Sequence, residues 1–307
     1  MIELNSLTKS FGPDRGIFDV SFTVPEGQIM GFVGHNGAGK TTTFKILTGL
    51  MDADSGKAFI DGLEVKPRNL RKLKESVGYM PDIFGVYDRM TVWQYLDFFG
   101  AAYSIPRKKR KESIVNALEL TRSEHMVDYQ VASLSRGMRQ RVGLAKTILP
   151  DPKVLILDEP AGGLDPQARI EMREVVSSLR NLGKTIILSS HILPDLGNMC
   201  DVVGIINKGK MEAFGKLEEI TDAMSDKKTY VIEIEKEDMV RAESMLKSVE
   251  AVTDIVVREE SLNFSCPKDQ DLGARVLAYL IENNIQVHSF RKQEIELEEM
   301  FMQLAAR

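Results

Sequence analysis

Short apolar runs separated by glycine and aspartate turns dominate the start of the chain. They predict four strands and one helix, at residues 2–4, 20–24, 29–33 and 58–60 and at 42–47. Strands return later, where apolar runs at 154–157 and 185–188 flank a helix at 170–182, and a further run lies at 202–206. A strand, a helix and a strand in this order predict a right-handed crossover in a parallel sheet, and therefore an α/β fold.

The pattern between these two sets of strands is helical. Over residues 82–150, apolar side chains recur at helical spacing, most regularly at 114–120. Thr91 and Gln94 can form a capping box, which predicts a helix at 92–103. We therefore expect a helical part between the two sets of strands.

A second unit is predicted near the end of the chain. Charged and turn-forming residues at 222–228 indicate a linker. Beyond it the predicted order is strand, helix, two hairpin strands, helix and strand, at 230–234, 239–249, 255–257, 262–266, 272–281 and 285–290. This order is typical of the split βαβ, ferredoxin-like unit. A last amphipathic helix, at 295–304, docks on the first unit or binds a partner.

Length and composition favour two folded domains. The chain has 307 residues, of which 43% are hydrophobic and 28% charged. Its net charge of −5 gives no general affinity for nucleic acid. One dense basic run, at 107–111, contacts lipid headgroups or RNA, or else forms a solvated helix face.

Neither a membrane span nor a standard export signal is expected. No window approaches the roughly 18 uninterrupted apolar residues of a spanning helix, and no basic segment with an apolar stretch opens the sequence. The two cysteines, Cys200 and Cys266, lie far apart. They fit a reducing cytosol and predict neither a disulfide framework nor a zinc site.

A glycine-rich loop follows the third predicted strand. Residues 34–41 fit the phosphate-binding pattern G-x-x-x-x-G-K-[ST]. Its glycines let the backbone approach phosphates, and successive N–H groups at a helix start form an anion nest. Lys40 is expected to reach the β- and γ-phosphates of a nucleoside triphosphate, and Thr41 to place its hydroxyl on Mg²⁺. The predicted loop ligands are Gly34, Asn36, Gly37, Gly39, Lys40, Thr41 and Thr42.

Two carboxylates end the predicted strand at 154–157. Asp158 is predicted to hold Mg²⁺ and Glu159 to polarise the attacking water. A strand that ends in Asp-Glu is common and can simply begin a loop. The order and topology of this strand and the phosphate loop agree, however, and this favours a nucleotide site.

Residues 134–141, which read LSRGMRQR, complete a set of motifs by which the sequence resembles the ATP-binding cassette (ABC) family of transporter ATPases. The resemblance covers residues 1–220. Phe11 stands where the family has the aromatic residue that stacks on adenine; alone, it would be interpreted as a core residue. Three further segments resemble the glutamine loop, the loop that joins the two active sites and the γ-phosphate switch, at 77–82, 160–165 and 189–191.

The resemblance implies a P-loop ATPase domain at 1–220, with a RecA-like core and a helical subdomain at about 83–150. The α+β, ferredoxin-like domain predicted from the order of elements follows at 228–307. It also implies a head-to-tail homodimer or heterodimer that sandwiches two ATP molecules. Ser135 is expected to cap a helix whose N-terminus faces the γ-phosphate held by the other subunit. The ligands implied there are Ser135, Arg136 and Gly137.

Two departures from the family pattern concern the site. Asp82 stands where most members have glutamine, and Arg136 and Met138 replace a glycine and a glutamine of the signature. Arg136 adds a cation near the phosphate or points to solvent. The implied catalytic residues are Asp82, Glu159 and His191, and the implied Mg²⁺ ligands are Thr41, Asp158 and Asp82.

The function implied is that of the ATP-hydrolysing subunit of an exporter, held at the cytoplasmic face of the membrane by separate permease subunits. Residues 83–87 receive a short permease helix or pack between the subdomains. The alternative is a soluble cassette ATPase that acts on ribosomes or DNA; the sequence lacks the second cassette, heptad insertions and zinc sites of such proteins. The second unit stabilises a dimer, docks, or senses a ligand.

Overall fold

A computed structural model describes residues 1–85, 87, 89–191, 199–224, 227–258, 261–267 and 272–293, with backbone only at 221–224. The chain divides into two compact units, and the boundary lies between Leu217 and Glu218. None of the helices in these described ranges is long and apolar enough to cross a membrane.

The first unit contains two sheets and a group of helices. Its strands are β1 (Ile2–Ser10), β2 (Gly16–Val24), β3 (Ile29–Val33), β4 (Ser55–Ile60), β5 (Leu63–Glu64), β6 (Val77–Met80), β7 (Val154–Leu157), β8 (Thr185–Ser190), β9 (Val202–Asn207) and β10 (Lys210–Gly215). Its helices are α1 (Lys40–Leu47), α2 (Leu70–Ser76), α3 (Val92–Ala102), α4 (Arg107–Leu120), α5 (Arg136–Ile148) and α6 (Pro166–Asn181). Helix α7 (Leu217–Met224) spans the boundary between the units.

The larger sheet has the strand order β10-β9-β3-β8-β7-β6. All its pairs are parallel except that of β10 with β9. Every residue of β3, β7 and β8 is buried, as expected for the interior of a parallel sheet. The predicted crossover is confirmed, because β7 and β8 are parallel neighbours connected through α6. The carboxyl ends of β3, β8 and β7 therefore lie side by side.

The smaller sheet has the order β2-β1-β4-β5 and is antiparallel. One hydrophobic cluster joins residues of both sheets and of α1, including Phe22, Phe32 and Phe44. The ring centroids of Phe22 and Phe32 lie 5.6 Å apart, and those of Phe32 and Phe44 lie 6.0 Å apart. Packing of this cluster fixes β3 and α1, and therefore the loop between them.

The helical part consists of α3, α4 and α5. The predicted capping box is confirmed: the Gln94 N–H donates to Thr91 Oγ1 at 3.2 Å, and the Thr91 N–H donates to Gln94 Oε1 at 3.0 Å. Helix α4 begins at the basic run. There, Arg110 pairs with Asp97 at 3.1 Å, whereas Lys109 is exposed.

The second unit contains β11 (Lys227–Ile234), α8 (Met239–Lys247), β12 (Thr253–Val257), β13 (Ser261–Pro267), α9 (Leu272–Glu282) and β14 (Val287–Gln293). Its sheet is antiparallel with the order β12-β13-β11-β14. Numbered within the unit, this is the order 2-3-1-4 of the ferredoxin-like fold, so the predicted topology is confirmed. A separate core supports it, with Tyr230, Leu246, Phe264 and Val276 among its members.

Two sequence-based expectations and several unpredicted elements need comment. The linker predicted at 222–228 is wrong, because α7 continues to Met224 and β11 begins at Lys227. Lys227 and Lys228 belong to β11 and pair with β13 through their backbones. A strand tolerates lysine at such positions because the side chain can extend into water. Strands β5, β6 and β10 and helix α2 were not predicted, and the helix predicted at 295–304 lies outside the described residues.

Candidate nucleotide-binding site

The glycine-rich loop connects β3 to α1, which begins at Lys40. Gly37 and Gly39 have φ values of 86° and 117°, in the region that favours glycine. A Cβ atom on Gly34 would lie 2.5 Å from the carbonyl oxygen of Ile206, so only glycine fits there. The three glycines therefore allow the tight path that brings backbone N–H groups to a helix start.

The side chain of Lys40 lies where the loop meets the end of β7. It is only 6% exposed, and Nζ donates to the carbonyl oxygen of Gly34 at 2.5 Å. Glu159 Oε1 is 3.4 Å from the same Nζ atom. Oxygen atoms of both motifs thus surround the ammonium group and compensate its charge.

Thr41 and Asp158, two of the predicted Mg²⁺ ligands, are in direct contact. Thr41 Oγ1 donates to Asp158 Oδ2 at 2.8 Å, and Ser189 Oγ donates to Oδ1 at 2.7 Å. Asp158 is 2% exposed, so these hydrogen bonds replace most of its water. The N-terminus of α1 and the carboxyl ends of β7 and β8 therefore meet at the carboxylate of Asp158.

Glu159 is held by its backbone and by one carboxylate oxygen. Its N–H donates to Ser189 Oγ at 2.8 Å, and Oε2 accepts from Nδ1 of His191 at 2.8 Å. Its φ of 50° is unusual for a residue with a side chain. In the described part of the chain, Oε1 is buried without a hydrogen bond. Its nearest described partner is the ammonium group of Lys40, at 3.4 Å, and it keeps acceptor capacity for a proton from a bound water molecule.

Asp82 follows β6 and belongs electrostatically to the same site. Loss of solvent raises the pKa of its carboxyl group, and the charges of Asp158 and Glu159 raise it further. Arg136 and His191 oppose this rise. The structure therefore brings all three predicted catalytic residues and both other Mg²⁺ ligands to one edge of the sheet.

The segment at 134–141 forms the start of α5. Ser135 is its N-cap, as expected, and its Oγ accepts from the Met138 N–H at 3.3 Å. In the described chain, no hydrogen bond or ion pair links Ser135 or Gly137 to the phosphate loop. The side chain of Arg136 lies on Gly163, where a Cβ atom would be 2.5 Å from its Cζ.

The remaining predicted ligands surround the loop. Phe11 is 50% exposed between β1 and β2, so its ring is not a core residue. Asn36 is exposed, and Thr42 is partly buried in α1. Phe11 and Asn36 are thus accessible to a ligand.

Sequence reasoning placed Ser189 in the segment that resembles the γ-phosphate switch, but it did not predict that this fully buried residue of β8 bridges Asp158 and Glu159. A serine at the carboxyl end of a buried parallel strand next to β7 is a signal that could have identified it. The contact of His35 Nε2 with Asn207 Oδ1, at 3.0 Å, also went unpredicted.

The residues present fit Mg²⁺ together with a nucleotide. The described residues contain no cluster of three His, Cys, Asp or Glu side chains that could hold a metal ion alone. Mg²⁺ typically takes one or two carboxylates and completes its shell with substrate phosphates and water. The hydroxyl of Thr41 and the carboxylate of Asp158, which contact each other directly, provide such a set.

Comparison with known families identifies both parts of the chain. Residues 17–162 match the ABC transporter family, and residues 215–305 match the C-terminal domain of DrrA1-3-like ATP-binding proteins. Over 203 residues, 66% of this chain, it is 39% identical to the uncharacterized ABC transporter ATP-binding protein sll0415 of Synechocystis. It spans 56% of that relative's length.

A second relative is the Nod factor export ATP-binding protein I of Ralstonia nicotianae, which is 36% identical over 72% of this chain and 68% of its own length. Among solved structures, cbiO1 of Clostridium perfringens, described as part of the ABC transporter complex cbiONQ, superposes with a TM-score of 0.64. It is 28% identical in sequence, over 71% of this chain and 89% of cbiO1. The phosphate loop, the paired carboxylates of β7 and these similarities lead to one conclusion: the chain belongs to the ABC transporter family.

Proposed function

We propose that this chain is the ATP-hydrolysing subunit of an exporter and that its cycle requires a head-to-tail dimer. The observation that carries the proposal is the convergence of Lys40, Thr41, Asp158 and Glu159 at the carboxyl ends of β3 and β7, the two strands that flank β8. In open α/β sheets this edge is where ligands bind.

The hydrolytic step is assigned to Glu159. Its Oε2 is fixed by His191, whereas Oε1 makes no hydrogen bond in the described chain and lies 3.4 Å from Lys40 Nζ, so we assign proton acceptance to Oε1. Lys40 would bind the β- and γ-phosphates. Thr41 and Asp158 would hold Mg²⁺, which neutralises charge that develops on the phosphates. Asp82 completes the proposed set, next to the same carboxylates.

The dimer is proposed from the position of the signature segment. The N-terminus of α5 carries a positive dipole end suited to an anion, and Ser135 caps it. Within the described chain, neither Ser135 nor Gly137 makes a hydrogen bond or an ion pair to the phosphate loop. We therefore assign Ser135, Arg136 and Gly137 to the nucleotide of a second subunit, and Phe11 to the adenine of the chain's own nucleotide.

Transport requires membrane partners. The described helices include none that could span a membrane, and the related cbiO1 is named as part of a transporter complex. We propose a peripheral location at the cytoplasmic face, through permease subunits. The proposed functional parts are the ATPase domain at 1–220, its helical subdomain at about 83–150 and the accessory domain at 228–307. Export is favoured by the export protein among the relatives.

The test is hydrolysis by a Glu159→Gln variant. We expect ATP binding to persist while the hydrolysis rate falls by about 10²- to 10⁴-fold, because the amide cannot accept the proton. Glu212→Gln, an exposed change on β10, is the matched control and should hydrolyse ATP normally. Wild-type hydrolysis by Glu159→Gln would refute the assignment. Size-exclusion chromatography of this variant with ATP should show a dimer, and a monomer at saturating ATP would refute the sandwich.

A further inference from the structure

The turn between β9 and β10 lies against the phosphate loop. We call it the β9 turn, and it comprises residues 207–209. The N–H of Gly209 donates to the carbonyl oxygen of Ala38 at 2.9 Å, and the carbonyl oxygen of Gly209 accepts from the N–H of Phe18 at 2.7 Å. The turn is therefore held between the phosphate loop on one side and β2 on the other.

The approach of this turn to the loop is close. Gly209 has a φ of 79°, and a Cβ atom on it would lie 2.4 Å from the carbonyl oxygen of Gly16. Ile206, the residue before the turn, contacts both ends of the loop. A Cβ on Gly34 would lie 2.5 Å from its carbonyl oxygen, and a Cβ on Gly39 would lie 3.2 Å from its Cδ1. The end of β9 thus follows the phosphate loop from its first glycine to its last.

A side-chain hydrogen bond joins the β9 turn to the start of the loop. Asn207 is only 6% exposed, and its Oδ1 lies 3.0 Å from Nε2 of His35, which is exposed. The other ring nitrogen, Nδ1, lies 2.7 Å from the carbonyl oxygen of Asn36. A carbonyl oxygen only accepts, so Nδ1 carries a hydrogen and donates it. The ring of His35 is therefore held at both nitrogens.

The amide of Asn207 fits the ring in either protonation state of Nε2. Its oxygen accepts from a protonated Nε2, and the same amide turned by about 180° presents its NH₂ group to an unprotonated Nε2. A carboxylate at this position would serve only the protonated ring, and an apolar side chain would serve neither form. An asparagine therefore keeps His35 in place whatever the charge of the ring.

The bond from His35 to Asn36 fixes the direction of a backbone N–H group. The carbonyl of Asn36 and the N–H of Gly37 belong to one planar peptide group and point in opposite directions. Fixing that carbonyl therefore also fixes the N–H of Gly37, which is one of the predicted phosphate ligands. Because glycine allows many backbone conformations, this peptide would otherwise have to be ordered when the nucleotide binds, and the ordering would reduce affinity.

We propose that Asn207 is a positioning residue for the nucleotide: through His35 it orients the peptide between Asn36 and Gly37, so that the N–H of Gly37 is directed at a phosphate of ATP. The inference rests on the proposed ATPase function and deepens it. Asn207 itself touches no nucleotide in this account. Its effect is to prepare the loop before ATP arrives, and so to raise the affinity for ATP without taking part in hydrolysis.

The first test is steady-state phosphate release by the full chain over a range of ATP concentrations at saturating Mg²⁺. Asn207→Leu removes the hydrogen bond to His35, and we expect the KM for ATP to rise about five- to tenfold while kcat stays within about twofold. Asn263→Leu is the matched control, because Asn263 is also a strand asparagine and is 8% exposed, but it lies on β13 of the second unit. It should leave both constants unchanged.

The second test asks whether Asn207 acts through His35. His35→Ala should raise the KM as much as Asn207→Leu does, and Asn207→Leu in the His35→Ala background should raise it no further, since the contact is already absent. Two effects that multiply in the double variant would mean that the residues act independently, and would overturn the proposal. His35 is exposed, so its replacement leaves the core intact. If Asn207→Leu fails to fold, an unchanged KM in His35→Ala alone refutes the positioning role.

The remaining outcomes separate this proposal from the proposed function. Wild-type chain that hydrolyses ATP, together with an Asn207→Leu variant of unchanged KM, overturns the role of Asn207 and leaves the ATPase standing. A raised KM in His35→Ala alone would mean that His35 meets the nucleotide directly, and it too overturns the role of Asn207. If the wild-type chain neither binds nor hydrolyses ATP, the ATPase function fails, and the positioning role fails with it.

Discussion

Two lysines in the first unit are buried to the same extent and have opposite surroundings. Lys40 is 6% exposed and lies among oxygen atoms of Gly34 and Glu159, whereas Lys146 is 7% exposed and lies among the rings of Phe84 and Phe99. Burial at either position removes water from a charged ammonium group, and this costs free energy. Only Lys40 is compensated by anionic and carbonyl oxygen among the described residues.

The difference shows which of the two regions the described chain completes by itself. The surroundings of Lys40 are built from the chain's own loop and strand end, so this region is assembled before any partner arrives. The surroundings of Lys146 supply apolar contact without a counter-charge in the described chain. A buried charge is therefore informative about function mainly through the atoms that compensate it.

The largest effect should come from neutralising the two lysines separately. Lys40→Met removes the cation expected on the phosphates and should lower ATP hydrolysis by roughly 10³-fold. Lys146→Met should leave hydrolysis by the isolated protein within about twofold. Steady-state phosphate release checks both. Equal losses in the two variants would mean that the regions are not functionally distinct.

Ser189→Ala should have the next largest effect, because one hydroxyl serves both carboxylate residues. The variant leaves an oxygen of Asp158 and the N–H of Glu159 without partners, which should cost about 1–3 kcal/mol of unfolding free energy. Hydrolysis should fall together with stability. Ser178→Ala, which removes a hydroxyl bonded to a helix carbonyl, is the control and should change stability by less than about 0.5 kcal/mol. Urea unfolding measures both, and equal stabilities would contradict the bridging role.

Gly163→Ala tests the contact between Arg136 and the loop at 160–165. The φ of Gly163 is 65°, so alanine should cost about 1 kcal/mol, and its methyl group should also displace the guanidinium of Arg136. Gly183 has a φ of 82° and open space around it, so Gly183→Ala should cost only the backbone strain. Loss of hydrolysis should be confined to Gly163→Ala. If both variants hydrolyse ATP alike, the Arg136 contact has no catalytic consequence.

The smallest effect concerns pH and Asp82. Its pKa is raised in the folded protein, so the folded state keeps a proton over a range in which the unfolded chain has lost it. The contribution of Asp82 to the free energy of unfolding therefore falls as the pH rises from 3.8, the ordinary pKa of aspartate, through the raised pKa of the folded state. Asp82→Asn should remove this fall and leave the protein slightly more stable at neutral pH.

Asp54→Asn is the opposite case for the same measurement. The hydrogen bond from Lys9 lowers the pKa of Asp54, so its contribution is present above 3.8 and is lost as pH falls through the lowered pKa. Urea unfolding at pH 4 and pH 7 should give differences from wild type of opposite sign for the two variants. The same sign in both would contradict the electrostatic account of Asp82.

The fold was predictable where a local pattern coincided with a tertiary requirement. β3 and β7 were predicted at their observed bounds because strands buried on both faces are continuously apolar. β10 was missed because its burial alternates between exposed and partly buried positions, and pairing with β9 determines it. Short edge strands carry little signal in their own sequence.

The site was predictable as a set of motifs and less so as a set of contacts. The phosphate loop and the pair Asp158 and Glu159 have fixed spacing, so the sequence alone identifies them. Ser189 and the contact of Arg136 with Gly163 depend on segments that meet only after the sheet forms. Lys146 resembles an ordinary polar helix position in the sequence, because its burial follows from aromatic residues on other elements.

Helix α5 extends from Arg136 to Ile148, which corresponds to about 20 Å of rigid rod. Its first turn carries the residues proposed for the neighbouring subunit's nucleotide, and Lys146 lies in its last turn. A helix of this length transmits displacement with little bending, since its backbone hydrogen bonds resist compression. Movement of the first turn of α5 would therefore also displace Lys146 against the rings of Phe84 and Phe99 at the other end of the helix.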